Sequence, residues 1–208
     1  MGQAASYCRG GRDGLGVADR VTVELPLHSR RSAGFLLCYK LLSMRAALLL
    51  TPSKVEIQDV AQPEIAAGEV LIRPKRVGIC GSVSFYLGHR PVEYPWVLAH
   101  ELVGRIAAVA DGVTNLGVWQ RVVAEPNYPC GACQFCRAGR DSICPNKKSM
   151  GVTRPGCFAD CVAAPAEFVW PLPESISNTD AATIEPLTVS LHALLRSGAK
   201  MGDTVAWN

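Results

Sequence analysis

Four cysteines lie close together in the sequence, and cysteine thiolates are strong ligands for metal ions. They are Cys130, Cys133, Cys136 and Cys144, with the spacing C-x2-C-x2-C-x7-C. Thiolates this close can surround one tetrahedral ion, and zinc prefers both that geometry and those ligands. The spacing therefore predicts a structural zinc site.

Three other interpretations of these cysteines stay open: disulfides, an iron–sulfur cluster and a site without metal. Two residues between cysteines fit an ordinary disulfide poorly, and no secretory context is evident. Pro145 directly after Cys144 is typical of ferredoxin motifs, but the last gap is seven residues here and three in ferredoxins. Zinc is therefore favoured over the other three interpretations.

A second set of candidate ligands is spread along the chain. It comprises Cys80 in Gly78-Ile79-Cys80-Gly81-Ser82, the pair His100-Glu101, and Glu185 before Pro186-Leu187. A thiolate, an imidazole and a carboxylate are the ligand types of a catalytic zinc with one open position. Each has a simpler explanation when taken alone, since a lone cysteine or histidine is more often an ordinary core residue. Only together do they indicate a catalytic metal site.

Short β-type segments follow one another from Met44 onward and must position these side chains. The predicted strands are Met44–Leu50, Val55–Val60, Val70–Arg73, Leu102–Ala110 and Arg121–Glu125. Many short strands at this spacing are typical of a barrel-like all-β domain.

Helix signals appear only late in the chain. Ser177 or Thr179 can cap a short helix, and a second helix is predicted around Pro186, ending near Ser197 with Gly198 as its stop. A further strand is predicted from Asp203 to Trp207.

The composition indicates a globular protein. Hydrophobic residues make up 49% of the sequence and charged residues 19%. The length of 208 residues allows one domain with a proper core, or one domain plus pieces. The net charge of +3 is too small to indicate a nucleic-acid partner. Nine cysteines with no sign of an oxidising compartment indicate the cytoplasm.

Residues 1–43 are crowded with glycine and arginine and are predicted to form an irregular N-terminal extension. The first residues fit the N-myristoylation pattern, so membrane association through Gly2 is an alternative location. The apolar stretch from Ser32 to Leu50 is broken by Lys40 and Arg45, so no membrane span is predicted. Met44 as the natural first residue is a further alternative.

From Met44 to about Ala206 the chain resembles the zinc-containing medium-chain alcohol dehydrogenases, in particular their sorbitol (polyol) and threonine dehydrogenase branch. The resemblance rests on GICGS, YPWVLAHE, the four-cysteine loop, CPNKKSMG, GCFADCVAAPAEFVWPLP, EPLTVSLHALLRSG and MGDTVA, in that order. It implies a mainly β fold with a few helices, in which residues 44–175 form a GroES-like β-barrel catalytic domain. Residues 176–208 would form connecting helices and the first strand of a Rossmann domain, which binds NAD(P) in the family.

The resemblance also implies roles for single residues. Cys80, His100 and Glu101 match the family's catalytic zinc ligands, and Glu185 matches a carboxylate that reaches the zinc directly or through water. The four cysteines match a structural zinc lobe away from the chemistry, so up to two zinc ions per chain are expected.

Two further residues match positions that act on the substrate in the family. Ser82 matches a hydroxyl that relays the substrate's proton, with an ordinary turn serine as the alternative. Tyr86 matches a substrate-contacting tyrosine, with an ordinary half-buried aromatic as the alternative. The implied reaction is oxidation of a small alcohol or polyol by hydride transfer to NAD(P).

The sequence departs from the family pattern at several positions. Val83 stands where the family has an aspartate that holds the zinc-bound histidine, and such a partner is worth roughly 10–100-fold in metal affinity or activity. Ala99 and Trp119-Gln120 stand where the family has glycine and Gly-Asp. Alanine adds strain at residue 99 if the position requires a positive φ.

The sequence contains no G-x-G-x-x-G dinucleotide loop. We therefore expect a catalytic domain truncated before the Rossmann domain and an incomplete dehydrogenase. The homo-oligomer usual in the family is then doubtful. The alternative is a non-enzymatic zinc-binding barrel or an inactive dehydrogenase fragment.

Overall fold

The computed structural model describes residues 43–82 and 94–204, and the described chain is mainly β. The strands are β1 Ser43–Thr51, β2 Lys54–Ala61, β3 Glu69–Gly78, β4 Trp96–Val97, β5 Glu101–Val109, β6 Arg121–Ala124, β7 Asn127–Tyr128, β8 Lys148–Ser149, β9 Val162–Pro165 and β10 Val169–Pro171. The α-helices are α1 Gln134–Arg137, α2 Asn178–Ala181 and α3 Ile184–Ser197, and two short 3₁₀ helices span Asp141–Ile143 and Ala166–Phe168. The predicted mainly β fold with a few helices is confirmed.

Several predictions fall outside the described residues. These are the N-terminal extension up to residue 42, the proposed substrate contact Tyr86, and Val83. Of the strand predicted from Asp203 to Trp207, only the first two residues are described, and they belong to no strand.

The strands form two main sheets, and every named strand pair is antiparallel. One sheet has the order β2-β1-β4 and the other the order β10-β6-β5-β3-β9. The short β7–β8 pair stands apart and closes the base of the loop that carries the four cysteines.

The larger sheet is covered on both faces, because successive side chains of a strand point to opposite sides. On β3, Val70 and Ile72 enter the main core with Ile106, whereas Leu71 packs on the other face against Ala108. All five side chains are at least 96% buried. This two-sided burial fixes the strand register, since a one-residue slip would move the apolar set to the wrong face.

Strand β3 is longer than the sequence predicts. The predicted strand ends at Arg73, directly before Pro74, and proline disrupts regular strands. In the structure a register irregularity between Pro74 and Arg76 accommodates the proline, and pairing with β5 continues to Gly78. The extension carries the chain directly to Cys80.

The two helices near the end begin and stop where the sequence predicts. The Ser177 hydroxyl accepts a hydrogen bond from the backbone N–H of Asp180 and so caps α2. Helix α3 ends at Gly198, which has φ +72° and can adopt this left-handed conformation without strain. Ile184 anchors the start of α3 against the core formed by Val103 and neighbouring residues.

A buried arginine holds the segment that precedes these helices. Arg121 on β6 donates to the backbone carbonyls of Pro173 and Ile176 at 2.9 and 2.7 Å, and to the Asn178 side chain at 2.9 Å. These bonds fix the path of the chain toward α3. Among the described residues, no helix combines the length and the apolar character that crossing a membrane requires.

Candidate functional site

Cys80, His100 and Glu101 come together at one end of the β3–β5 pair, and we call them the three-ligand cluster. Strand β3 ends at Gly78, which pairs with Glu101 at the start of β5. Because the two strands are antiparallel neighbours, the residue just beyond β3 lies beside the residues where β5 begins. One ligand atom from each of the three side chains lies within 4.8 Å of the other two.

The donor set of the three-ligand cluster fits zinc. Ligand atoms on a tetrahedral zinc are separated by roughly 3.3–3.8 Å, given bonds of about 2.0–2.3 Å. Small side-chain adjustments therefore suffice to close the cluster around an ion. One thiolate, one imidazole and one carboxylate also leave a fourth position open, as catalytic zinc sites do.

The surroundings favour the metal-binding form of these ligands. Burial lowers the pKa of His100, and the nearby Glu101 carboxylate only partly opposes that effect. A lowered pKa keeps the imidazole neutral, which is the form that binds metal. Glu101 itself is only 7% exposed, so its carboxylate sits in the interior rather than in water.

Ser82 lies beside the three-ligand cluster. Its hydroxyl donates a hydrogen bond to the Cys80 sulfur at 3.1 Å, in a partly buried position. The contact places a hydroxyl group next to the three candidate ligands.

Glu185 stands in the first turn of α3 and faces the cluster without joining it. Its half-buried position raises its pKa, and the negative charge of Glu101 raises it further. The structure thus brings Glu185 within electrostatic range of Glu101, but the three-ligand cluster does not include it.

Glu185 also lines a cleft of about 540 Å³ between α3, β6 and β10. The polar groups that share this cleft are Glu125, Asn127, Ser142, Thr188 and His192, and the apolar wall includes Leu102, Val123, Trp170 and Val189. We call it the α3 cleft.

Five polar residues of the cleft were not predicted from the sequence as site residues: Glu125, Asn127, Ser142, Thr188 and His192. Helical spacing could have found two of them, because residues 185, 188 and 192 fall on one face of a helix. Glu125 has no such signal.

The four cysteines form the second candidate metal centre, the four-cysteine cluster. One sulfur from each lies within 4.8 Å of the others, and the sulfurs of Cys133 and Cys136 are 3.4 Å apart. The Cys133–Cys144 separation is 3.9 Å. Four sulfurs around zinc are separated by roughly 3.8 Å, whereas a disulfide requires about 2.05 Å. All four cysteines are free, so the disulfide interpretation is wrong and the cluster fits a metal ion.

Local backbone groups favour the thiolate form of Cys130 within this cluster. The N–H groups of Ala132 and Cys133 lower the pKa of Cys130 to about 6. The N–H of Cys130 in turn donates to the Cys144 sulfur at 3.4 Å. Burial, and then the neighbouring Cys133, raise the pKa of Cys136, so the thiolate form that binds metal is favoured at Cys130 and not at Cys136.

Two of the departures from the family pattern adopt positive φ angles. Ala99 has φ +78° and Trp119 has φ +73°, a region that glycine enters freely and other residues rarely do. The condition for strain at residue 99 is therefore met, directly beside the candidate ligand His100.

Comparison with known proteins identifies the family. Residues 66–174, just over half of the chain, match the alcohol dehydrogenase GroES-like domain. The chain belongs to this family. The predicted resemblance and the predicted GroES-like fold are thereby confirmed.

Relatives within the family include several dehydrogenases. The chain is 37% identical to a sorbitol dehydrogenase of Bacillus subtilis (strain 168) over 79% of its own length and 48% of the relative's. It is 38% identical to an L-threonine 3-dehydrogenase of Idiomarina loihiensis over 66% of the chain and 42% of the relative. The chain spans about half the length of the curated relatives it matches.

Solved structures of similar proteins agree with this assignment. Galactitol-1-phosphate dehydrogenase from Escherichia coli superposes with a TM-score of 0.72 at 32% identity, covering 75% of this chain and 46% of that one. The rspB alcohol dehydrogenase from E. coli CFT073, solved with NADH, gives a TM-score of 0.73 at 34% identity, covering 78% and 48%.

Proposed function

We propose that this chain provides the catalytic domain of a zinc-dependent, NAD(P)-linked dehydrogenase that oxidises a secondary alcohol or polyol by hydride transfer. The observation that carries the proposal is the three-ligand cluster. Cys80, His100 and Glu101 bring three different ligand types within 4.8 Å of one another in a member of the alcohol dehydrogenase GroES-like family.

Zinc held by these ligands would supply Lewis acidity, which lowers the pKa of a coordinated hydroxyl group, and NAD(P) would supply the hydride acceptor. The protein's own residues provide position and charge. The neutral His100 and the buried Glu101 carboxylate provide donor atoms for the metal. Ser82, beside Cys80, takes up the substrate's proton and passes it outward. Tyr86 is proposed to contact the substrate.

The α3 cleft supports a small alcohol or polyol as the substrate class. Its volume of about 540 Å³ lies within the range of ordinary small-molecule sites. The cleft offers amide and hydroxyl groups from Asn127, Ser142 and Thr188, which can bond the hydroxyls of such a compound. Glu185 lines the cleft and lies within electrostatic range of Glu101, and we assign it to substrate orientation.

The four-cysteine cluster is proposed to hold a structural zinc, which gives up to two ions per chain. Its four sulfurs leave no open position for a substrate, unlike the three-ligand cluster. The chemistry is therefore assigned to Cys80, His100 and Glu101, and the stability of the loop to the cysteines.

The test is cobalt substitution of the purified chain, because Co²⁺ reports the ligands of each site by its absorption. We expect two equivalents in the wild-type protein and loss of one set of bands in both Cys80→Ser and His100→Ala. Addition of sorbitol, L-threonine or butanediol to the wild-type protein should shift the set of bands that the two variants lack. The remaining bands of the variants should not shift. A single equivalent, bound at the four cysteines and insensitive to Cys80→Ser, contradicts the proposal and favours a non-enzymatic zinc-binding barrel.

NADH formation is measured in parallel. Absorbance at the NADH band on mixing zinc-loaded protein with NAD⁺ and each alcohol reports whether the chain completes the reaction by itself. Turnover that is lost in His100→Ala excludes the non-enzymatic alternative.

A further inference from the structure

The chain segment that leads into the ligands His100 and Glu101 is held by backbone hydrogen bonds to a second loop. The N–H of Gly156 donates to the Val97 carbonyl at 2.8 Å. The next two N–H groups, of residues 157 and 158, donate to the carbonyls of Ala99 and Leu98 at 3.0 and 3.1 Å. Three consecutive donors of the second loop thus bind the three residues that precede His100.

This contact is possible only because two residues of the second loop are glycines. A Cβ atom on Gly156 would overlap the Leu98 carbonyl and lie 2.5 Å from the Ala99 carbonyl oxygen. A Cβ atom on Gly151 would lie 2.7 Å from the Ala99 oxygen and 2.9 Å from the Ala99 nitrogen. Real Cβ atoms do not approach backbone this closely, so a side chain at either position forces the second loop and the Leu98–Ala99 backbone apart.

A displacement of Ala99 would be transmitted to the ligands. Ala99 is 3% exposed and adopts φ +78°, so its conformation is imposed by its surroundings rather than by its own preference. His100 follows directly, and Glu101 begins β5 opposite Gly78. The ligand pair is therefore held from two sides, by β5 after it and by the two glycines before it.

We propose that Gly151 and Gly156 form a backbone clamp that positions His100 and Glu101 for metal binding. The proposal rests on the metal site of the proposed function and adds two positioning residues to it. Metal ligands must be held within about 0.5 Å of their productive positions. A clamp that fixes the preceding backbone meets that requirement without touching the ion.

The experiment is a Co²⁺ titration of the full chain in four glycine variants. Gly156→Ala and Gly151→Ala insert a methyl group into the clamp. Gly117→Ala is the control for the first, because a Cβ there meets nothing within 4 Å. Gly68→Ala is the control for the second, because its φ of +80° matches the +75° of Gly151 but its surroundings are open.

We expect the clamp variants to bind Co²⁺ at the three-ligand cluster at least about tenfold more weakly, the size of a typical loss of ligand support. The absorption of that site should also change, while the bands of the four-cysteine cluster stay as in the wild-type protein. The two controls should bind both equivalents normally. A role in packing alone would lower the unfolding midpoint without altering the absorption of one site.

The clamp is overturned if Gly156→Ala binds Co²⁺ at the three-ligand cluster with wild-type affinity and wild-type absorption. If Gly156→Ala is unfolded and loses the bands of both sites, Gly151→Ala is used instead, because its methyl group overlaps the backbone less. Its Co²⁺ affinity and its absorption at the three-ligand cluster then test the clamp. A wild-type chain that binds a single equivalent, at the cysteines, overturns the proposed function, and that failure is seen before any variant is compared.

Discussion

Gly78 and Glu101 face each other across the β3–β5 pair, and the Glu101 carboxylate occupies the space that a side chain at position 78 would need. A buried carboxylate is costly unless a cation or hydrogen-bond donors compensate it. A metal ion shared with Cys80 and His100 would supply that compensation. The glycine thus makes room for a negative charge that a metal ion bound in the cluster would neutralise.

Gly78→Ala should damage the three-ligand cluster selectively. The new methyl group overlaps the Glu101 carboxylate, so we expect the carboxylate to leave its position. The free energy of unfolding should fall by about 1–3 kcal/mol. Metal affinity at Cys80 and His100 should fall, while the four cysteines keep their ion. Urea unfolding and metal titration measure the two effects. Equal losses in Gly117→Ala, whose Cβ meets no neighbour, would show that the effect is not local.

Ala99→Gly should stabilise the protein. Alanine in the left-handed region costs roughly 1–2 kcal/mol, and glycine avoids that cost at a smaller loss of backbone entropy. We therefore expect a gain of up to about 1 kcal/mol in the free energy of unfolding. Ala164→Gly, at a buried position of the regular strand β9, should instead destabilise. If Ala99→Gly behaves like Ala164→Gly in urea unfolding, residue 99 carries no backbone strain that glycine can relieve.

Strands β1, β2, β3, β5 and β6, the capped helix α2 and the four-cysteine cluster could be predicted from the sequence, because each has a local signal. The side chain of Ser177 indicates the start of a helix, and the short spacing of the cysteines indicates a metal-binding loop. The continuation of β3 past Pro74 could not be predicted, because the irregularity that accommodates the proline depends on the partner strand.

The α3 cleft has no local signal either. Its walls meet only because Ile184 docks on the core and Arg121 fixes the preceding segment. Glu125 therefore looked like the end of an ordinary strand. The positive φ of Ala99 was anticipated only through the resemblance to a family with glycine at that position.

Removing one ligand of the four-cysteine cluster should cost one zinc per chain. Cys136→Ser leaves three sulfurs, which cannot complete the tetrahedral site, so the loop between β7 and β8 should become sensitive to protease. Elemental analysis after anaerobic purification measures the metal. Cys161→Ala is the matched control, because Cys161 is buried and outside both clusters. Iron, or no metal at all, in the wild-type chain would contradict the zinc assignment.

Val83→Asp should strengthen metal binding at the three-ligand cluster. An aspartate there would restore the carboxylate that holds the ligand histidine in the family, and such partners are worth about 10–100-fold in affinity. Val83→Asn can accept the same hydrogen bond without the charge and should give a smaller gain. Competition with a chelator measures the change. An unchanged affinity in Val83→Asp would show that His100 does not depend on a partner at this position.

Glu125 should make the stability of the fold depend on pH. Its partial burial, and then the negative charge of Asp141, raise the pKa of this carboxyl above its ordinary value of 4.5. The folded state therefore holds the Glu125 proton more tightly than the unfolded state. This contribution to stability is fully present below pH 4.5 and is lost as the pH rises through the raised pKa.

Glu125→Gln removes the titrating group, so the wild-type protein should lose stability relative to this variant as the pH rises from 4.5 toward neutrality. Glu56→Gln is a control of opposite sign, because hydrogen bonds from Lys54 and Gln58 lower the pKa of Glu56. The wild-type protein should lose stability relative to Glu56→Gln as the pH falls below 4.5. Urea unfolding at a series of pH values measures both differences. If the Glu125→Gln difference is flat, or follows the Glu56→Gln difference, the α3 cleft does not hold Glu125 in the environment that the structure gives it.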